Sequence, residues 1–383
     1  MTSNASNPSR AELTIGRSRY DGWTSVSVTH SIEEAASSFE LSLTDRWAVN
    51  QEPRRVRAGE ACALSLNGQP LINGFIDAPR PGYDAKSRRL SVSGRAKTCD
   101  LVDCSVPMEG GQFKGQSLVQ LAKAFCAPFG IEVVNNVADA NSPVGADWQL
   151  EPGETGFESL ERAARFCRCL LTCDPAGRLV ITRASTEMLP VHLRHGEQIL
   201  AAEGGEDHRD RFSEYVVKGD SASGGADFDG MDGEATTQST GSAVDDGVLR
   251  YRPKVLIAED NLDNHKAGLR ANWEMRRRRA RSRTVEITLK DWNMDGTVRL
   301  WPINHQVRVT DPWLGLDNEL LLITSVNFTL NESGTRTKLS LMPREGFDID
   351  PILPKQKKKK GDGGLSFGAD ETRVIFPVTK GAK

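Results

Sequence analysis

The chain has 383 residues, of which 38% are hydrophobic, and it carries a formal net charge of -3. This length allows two to four domains of about 100 to 150 residues, and the nearly balanced charge argues against a protein that binds polyanions over its whole surface. The polar start MTSNASNPSR lacks the apolar segment of a signal peptide, and no stretch of about 18 apolar residues follows, so we expect neither export nor a membrane-spanning helix.

The first part of the chain has the pattern of short β-strands. Residues 1–10 are small and polar and are expected to be disordered. Polar and apolar residues then alternate in several segments between 11 and 106, and Asn67-Gly68 is typical of a tight hairpin turn. Short strands joined by turns predict a small β-barrel or sandwich over 11–106.

A change in pattern near residue 107 predicts an inserted α/β domain over 107–185. Ser117 and Thr155 each precede apolar residues at helical spacing, which is the arrangement expected of two capped helices. Strands are predicted after each helix, and the turn Asp174-Pro175-Ala176-Gly177 separates the last two of them.

The β pattern returns after this insertion and predicts a second β domain in two pieces, 186–254 and 282–345. Residues 220–247 are rich in Gly, Ser, Asp and Thr, and we expect a mobile loop there. A helix over 255–281 is expected to join the inserted domain. Residues 346–383 form a C-terminal extension whose lysine run, 357–360, has the composition of a flexible linker.

The most distinctive segment is the predicted helix that ends in RRRRARSR and continues into the alternating strand 284–289. Asn261 or Asp263 is suited to cap its start. Consecutive arginines on a helix point in different directions, and no base-reading residues accompany them. We therefore expect most of them to form ion pairs within or between subunits, with contact to nucleic acid as the alternative. The candidate residues for either contact are Arg276, Arg277, Arg278, Arg279, Arg281 and Arg283.

Residue patterns for catalysis or for metal and cofactor binding are weak in this sequence. The seven cysteines, an odd number, favour reduced thiols. Cys167, Cys169 and Cys173 lack the paired C-x-x-C spacing of zinc sites, so core packing is favoured over a metal site completed by His192 or His195. No Walker A, G-x-S-x-G or H-E-x-x-H motif occurs. We assign no catalytic, cofactor-binding or metal-binding residue and predict a protein that is not an enzyme.

Six long segments, in the same order along the chain, resemble the baseplate hub proteins of Mu-type contractile-tailed phages. The resemblance covers about 22–347, and the segments are GWTSVSVTHSIEEAASSFELSL, SGRAKTCDLVDCS, GGQFKGQSLVQLAKAFCAPFGI, DRFSEYVVKG, EMRRRRARSRTVEITLKDW and LGLDNELLLITSVNFTLNESGTRTKLSLMP. None of them is a catalytic motif.

The resemblance implies an α+β, mainly β fold with two similar small β-barrel domains, an inserted α/β domain and a C-terminal extension. It also implies a homotrimeric ring in the virion tail baseplate, assembled in the host cytoplasm. Such a ring adapts the sixfold tail tube to the threefold central spike and lets DNA pass. Its partners are the spike, the tail tube and the baseplate wedge proteins. Two alternatives are a nucleic-acid-binding protein that uses the basic runs 276–283 and 357–360, and a tail-associated cell-wall hydrolase.

Overall fold

The computed structural model describes residues 10–46, 56–85, 87–106, 111–144, 147–220, 238–258, 263–294 and 298–348. Within these ranges the chain is mainly β, with 21 strands and four α-helices. Of the segment 1–10, predicted to be disordered, residues 1–9 lie outside these ranges, as does the lysine run 357–360. No helix of the described part is both long enough and apolar enough to cross a membrane.

The first region is built of antiparallel strands whose buried and exposed residues alternate, as their sequences predict. Its seven strands, β1 to β7, are Ala11–Ile15, Ser18–Tyr20, Ser25–Ser31, Ser38–Arg46, Ala61–Leu66, Gln69–Tyr83 and Ser87–Ala96. Asn67 and Gly68, both with positive φ, form the predicted turn between β5 and β6. Strand β6 is unusually long because a bulge between Ile76 and Ala78 lets it bend and continue along β7.

The inserted region has its own core between two capped helices and a small sheet. The elements in chain order are α1 (Cys99–Asp103), β8 (Gln112–Lys114), α2 (Leu118–Cys126), β9 (Val133–Asn135), β10 (Asp147–Gln149), α3 (Gly156–Phe166), β11 (Leu170–Cys173) and β12 (Leu179–Thr182). Ser117 and Thr155 cap α2 and α3, and each forms a reciprocal capping box with the residue three positions later. Apolar side chains of α2, α3, β11 and β12 fill this core.

The second β region contains the remaining strands and the longest helix. These are β13 (Met188–Arg194), β14 (Ile199–Glu206), β15 (Glu214–Asp220), β16 (Gln238–Val244), β17 (Pro253–Ile257), α4 (Asn264–Arg281), β18 (Arg283–Lys290), β19 (Gln306–Asp311), β20 (Leu316–Asn331) and β21 (Gly334–Met342). A short 3-10 helix, Pro312–Leu314, lies between β19 and β20, and another, Arg344–Phe347, follows β21.

Two predicted boundaries in this region are wrong. The C-terminal part of the supposed mobile loop 220–247 is strand β16, which pairs along its whole length with β15. The bound at 255 for the predicted helix 255–281 is also wrong, because 253–257 forms β17, a parallel neighbour of β15, and the helix begins at Asn264, directly after the predicted cap Asp263. Helix α4 packs on β15 and β16 through Ala267 and Ala271 and forms a separate small core there, so it does not complete the inserted domain as expected.

The main sheet has 13 strands and contains two units of six strands with the same order. The first unit runs β1-β5-β6-β7-β4-β3, and the second runs β13-β19-β20-β21-β18-β14. In chain order β1, β3, β4, β5, β6 and β7 correspond to β13, β14, β18, β19, β20 and β21. The outermost pairing differs, because β1 is antiparallel to β5 whereas β13 is parallel to β19.

The two units are joined edge to edge, because β20 pairs antiparallel with β3 over Ser325–Leu330. The expectation of two separate small barrels is therefore not confirmed. In the described residues the strands of both units form one continuous sheet, no pairing closes either unit on itself, and β15, β16 and β17 form a separate three-stranded sheet. One hydrophobic core accordingly extends across both units, from Leu13 through Phe328 to Leu341.

Candidate subunit interface and the arginine-rich helix

Helix α4 carries five of the six predicted basic residues, and Arg283 lies in β18 just after its end. Asp263 caps the start of the helix, as predicted, by accepting a hydrogen bond from the Lys266 N–H at 2.8 Å. The arginines of the last turn lie where the helix dipole favours positive charge. They share one helix end, but their side chains spread over several surfaces.

Arg278 is tied to its own chain by two contacts. Its Nε donates to Glu274 Oε1 at 2.5 Å, and its Nη1 donates to the Asp210 carbonyl at 3.0 Å. Glu274 is buried, so it requires this partner to offset the cost of burying a carboxylate. The Asp210 carboxylate lies 4.0 Å from the same Nη1, at the outer limit of an ion pair.

Arg281 and Arg283 link α4 and β18 to more distant parts of the chain. Arg281 donates to the Glu33 carboxylate at 3.1 Å and to the Gly346 carbonyl at 3.0 Å. Arg283 donates to Glu319 at 2.8 Å. The Gly346 contact anchors the first residues of the predicted C-terminal extension to α4, where the neighbouring Phe347 ring is buried.

Arg277 is partly buried against an aromatic ring. Its guanidinium lies 5.5 Å from the centre of the Trp273 ring, and the Trp273 Nε1 donates to the Asp348 carbonyl at 2.8 Å. Burial, followed by repulsion from Arg281, lowers the pKa of Arg277, although an arginine remains charged at neutral pH. The role of Arg277 is therefore largely packing.

Like Arg277, Arg276 and Arg279 have no carboxylate partner in the described part of the chain, and they also lack its contact with an aromatic ring. Both are exposed and line an open cleft of about 460 Å³. The cleft is lined by Glu206, Arg211, Gly247, Arg276, Arg279, Ala280, Arg283, Pro343 and Glu345. Four of these residues are basic and two are acidic, so the cleft favours a negatively charged group.

Arg211 of the cleft lining belongs to a buried ion pair that sequence reasoning missed. Arg211 donates to both carboxylate oxygens of Asp245, at 2.7 and 3.0 Å, and the two side chains are 5% and 0% exposed. Burial raises the pKa of Asp245, but the hydrogen bonds from Arg211 and from the Gly247 N–H outweigh it and hold this pKa below its usual value. The two residues are 34 positions apart, so no local pattern identifies the pair.

Several strand edges of the main sheet lack a neighbour among the described residues, including those of β2, β13 and β14 and one part of β6. Strand β14 pairs with β18 on one side only, and its residues Leu200, Glu203 and Glu206 are exposed. The part of β6 beyond its bulge, residues 78–83, pairs with β7 on one side only. Pro79 and Pro81 in that segment are a sequence signal of an edge strand, because proline cannot donate to a ladder.

The cysteines and histidines that were weighed as metal ligands have other partners. Cys169 and Cys173 are buried, and Cys167 packs against the core of the inserted region. His192 hydrogen-bonds to Thr310 at 2.9 Å. In the described residues, no three side chains of metal-ligand type lie close enough together to hold an ion.

Family models match three parts of the chain. Residues 10–96 match the model described as Mu phage baseplate assembly protein GpP-like, N-terminal. Residues 98–183 match the second domain of the gp44-like baseplate hub protein, and residues 264–350 match the fourth domain of GpP.

Whole-chain comparisons agree with these matches. The chain is 38% identical over 356 residues to the baseplate hub protein gp44 of Escherichia phage Mu. The aligned residues cover 90% of this chain and 91% of that protein. The 43 kDa tail protein of prophage MuSo2 from Shewanella oneidensis has a TM-score of 0.78 at 35% identity, with 89% of this chain and 99% of that chain covered. The tail protein from Neisseria meningitidis MC58 has a TM-score of 0.72 at 25% identity, with 90% and 100% covered. The chain therefore belongs to the Mu gp44-like family of baseplate hub proteins, which are structural components of the phage tail.

Proposed function

We propose that three copies of this chain form a ring at the centre of the baseplate. The ring adapts the sixfold tail tube to the threefold central spike and leaves a lumen through which DNA passes. Its partners are the tube and spike proteins and the surrounding baseplate wedge proteins. It assembles in the host cytoplasm and remains in the virion.

The observation that supports this proposal is the repeated strand order of the main sheet. One chain contains two six-stranded units, joined edge to edge by β3 and β20. Three such chains carry six similar units, which suits contact with a sixfold tube. The inserted region and the α4 layer each occur once per chain, so three copies present them with threefold symmetry, which suits a threefold spike.

The arginine run fits a structural role in this ring. Arg278, Arg281 and Arg283 hold parts of one chain together, while Arg276 and Arg279 remain available to a neighbouring protein. Each arginine that contacts a phosphate adds salt-dependent affinity for DNA, which slows its passage. We therefore place Arg276 and Arg279 at a protein contact rather than along the DNA path.

The decisive measurement is the solution mass of the purified chain, by light scattering at low and moderate salt. The chain mass is 41.9 kDa, and we expect three times this value. Dissociation of the trimer as the salt concentration rises would indicate that ion pairs contribute to the subunit contacts. A monomer at all concentrations and salt conditions would refute the ring.

A second candidate function, nucleic-acid binding, is favoured by one observation, namely the open arginine cleft. The other basic run of this hypothesis, 357–360, lies outside the described residues. The hypothesis predicts a monomer that binds DNA with an affinity that falls steeply with salt. Titration of the Arg276→Ala/Arg279→Ala variant with duplex DNA tests it, because loss of binding in the variant requires that the cleft contacts phosphate.

A further inference from the structure

The β3·β20 junction within one chain provides a template for the contact between chains. We propose that, in the trimeric ring, the edge of β14 of one copy pairs antiparallel with the edge of β6 of the next copy. This inference rests on the proposed trimer and adds the segments and their register. Its basis is the correspondence between the two units, in which β14 matches β3 and β6 matches β20.

The bulges fix the correspondence between β6 and β20. In β6 the bulge lies between Ile76 and Ala78, and in β20 it lies between Ile323 and Ser325. The residue just before the bulge has an equivalent partner in both units. Ile76 lies opposite Gly94 of β7, and Ile323 lies opposite Leu341 of β21. Beyond the bulge, residues 78–83 therefore correspond one to one to residues 325–330.

The correspondence between β3 and β14 follows from their shared neighbours. Val28 pairs with Phe39 of β4, which pairs with Gly94. Gly204 pairs with Val285 of β18, which pairs with Leu341. Val28 therefore corresponds to Gly204. Because Val28 lies opposite Phe328, the equivalent contact between copies places Gly204 opposite Pro81.

The backbone groups of both edges point the right way for this pairing. The Asp207 N–H donates to the Ser282 carbonyl at 2.8 Å, so the alternate residues Ala202, Gly204 and Glu206 direct their N–H and C=O groups away from β18. Their counterparts in β3 face β20, as the bond from the Ile32 N–H to the Thr324 carbonyl at 2.9 Å shows.

On β6 the outward backbone groups belong to Pro79, Pro81 and Tyr83. The bond from the Asp84 N–H to the Ser87 carbonyl, at 2.9 Å, fixes this alternation. The two prolines offer carbonyls but no N–H, so this edge accepts hydrogen bonds and hardly donates any. Two β6 edges therefore cannot pair with each other, because both have hardly any donors. When β14 pairs with β6, by contrast, each outward N–H group of β14 meets a carbonyl of β6. This asymmetry favours a head-to-tail contact, which is the type that closes into a ring.

Charge supports the same register. Within the chain, Asn327 of β20 donates from its Nδ2 to Ser27 Oγ at 3.2 Å and to Thr29 Oγ1 at 2.8 Å. Asn327 corresponds to Arg80, and Ser27 corresponds to Glu203. Across the junction, Arg80 therefore lies diagonally opposite Glu203 on the same sheet face, within reach of an ion pair.

Arg80 and Glu203 are both exposed, and neither has a charged partner in the described residues. Trp313 also faces solvent, with 89% of its surface exposed. It lies in the β19–β20 turn, which corresponds to the β5–β6 turn. That turn contacts the second unit within the chain, where Asn67 hydrogen-bonds to Asn293 at 3.3 Å. We therefore place Trp313 at the same junction between copies.

A pair of engineered cysteines tests the register. Arg80→Cys and Gly205→Cys, in a Cys104→Ser background that removes the exposed native thiol, lie directly opposite each other at a non-hydrogen-bonded position. The Cα atoms of such pairs are about 4.5 Å apart, which suits a disulfide. A Cβ at Gly205 meets no atom within 4 Å. The control pair, Arg80→Cys with Glu206→Cys, places the second thiol on the opposite face of the sheet.

Mild oxidation with diamide should convert the test variant to covalent trimers on a non-reducing gel, while the control pair remains uncrosslinked. If light scattering shows a trimer but the test pair fails to crosslink, or the control pair crosslinks instead, the proposed register is wrong. The proposal that three copies form a ring is not contradicted by that result. If the wild-type protein and both variants are monomeric, the ring itself fails, and this inference fails with it. Covalent dimers as the end product would also overturn the proposal, since they indicate a twofold contact.

Discussion

The buried pair of Arg211 and Asp245 gives the sharpest test of what holds the α4 layer in place. Asp245 is 0% exposed and receives both donors of the Arg211 fork. Replacing one partner leaves the other charge buried without compensation, and this costs about 3–5 kcal/mol. We therefore expect Asp245→Asn to weaken the β15–β17 sheet and α4 by about 3 kcal/mol or more.

The effect should be local, so the assay is hydrogen exchange followed by mass spectrometry on the full-length protein. A loss of about 3 kcal/mol corresponds to roughly 100-fold faster exchange for amides that open with this layer. Peptides covering Glu214–Asp220 and Asn264–Arg281 should show this acceleration, while α2 and α3 of the inserted region should keep the wild-type rate. The matched control is Glu161→Gln, which removes an exposed pair with Arg165 on α3 and should cost at most about 0.5 kcal/mol.

The same pair predicts a pH dependence. The pKa of Asp245 is lower in the folded protein than in the unfolded chain, where it is about 3.9. The stabilisation is therefore fully present above the unfolded pKa and is lost as the pH falls through the folded pKa. In the wild type, protection of the α4 layer should decline below about pH 4.

For the substitution itself, the refuting result is measured at pH 7. If exchange in the α4 layer of the Asp245→Asn variant is less than tenfold faster than in the wild type, the reasoning is wrong.

Three further predictions test packing and titration. Gly241→Ala should displace α4 and lower the midpoint temperature of unfolding, because a Cβ there would lie 2.1 Å from the Gly268 nitrogen. The control, Gly268→Ala, should be neutral or slightly stabilising, because nothing lies within 4 Å of its Cβ. A thiol reagent at pH 8 should modify one cysteine rapidly, Cys104, because burial raises the pKa of the six others, four of them, including Cys62, to about 12. Burial also lowers the pKa of His30, so stability should fall as the pH drops below about 6.5, the unfolded value, and His30→Gln should reduce this dependence.

Each of these three predictions can be contradicted by a specific result. Equal midpoints for the two alanine variants would mean that α4 does not approach β16 as closely as described. Rapid modification of two or more thiols, or of none, would contradict the burial of the cysteines. An unchanged pH profile in the His30 variant would assign the acid sensitivity to other groups.

Local signals in the sequence identify many elements correctly. Alternation predicts β3, β4 and β7, and capping residues predict the starts of α2, α3 and α4. These signals are reliable because they arise from interactions within a few residues, namely side-chain period, turn geometry and hydrogen bonds at helix ends. The family resemblance carries further, because long collinear segments agree with relatives of similar length.

The errors occur where distant partners decide the structure. The segment 238–244 is small and polar, yet it is a strand because β15 pairs with it and α4 packs closely over Gly241. The predicted helix includes residues 255–257, yet parallel pairing with β15 makes 253–257 a strand. In both segments, tertiary contacts outweigh a weak local preference.

The sequence by itself determined the class of the chain, most of its strands and helix starts, and its family. Only the tertiary structure decided which arginines are paired, that two distant residues form a buried ion pair, and that two units share one strand order and one sheet. The physical reason is that strand pairing and ion pairing depend on residues that meet in space, up to about 300 positions apart in the case of Ser27 and Asn327. The amino-acid pattern along the chain specifies such contacts only through the complete fold.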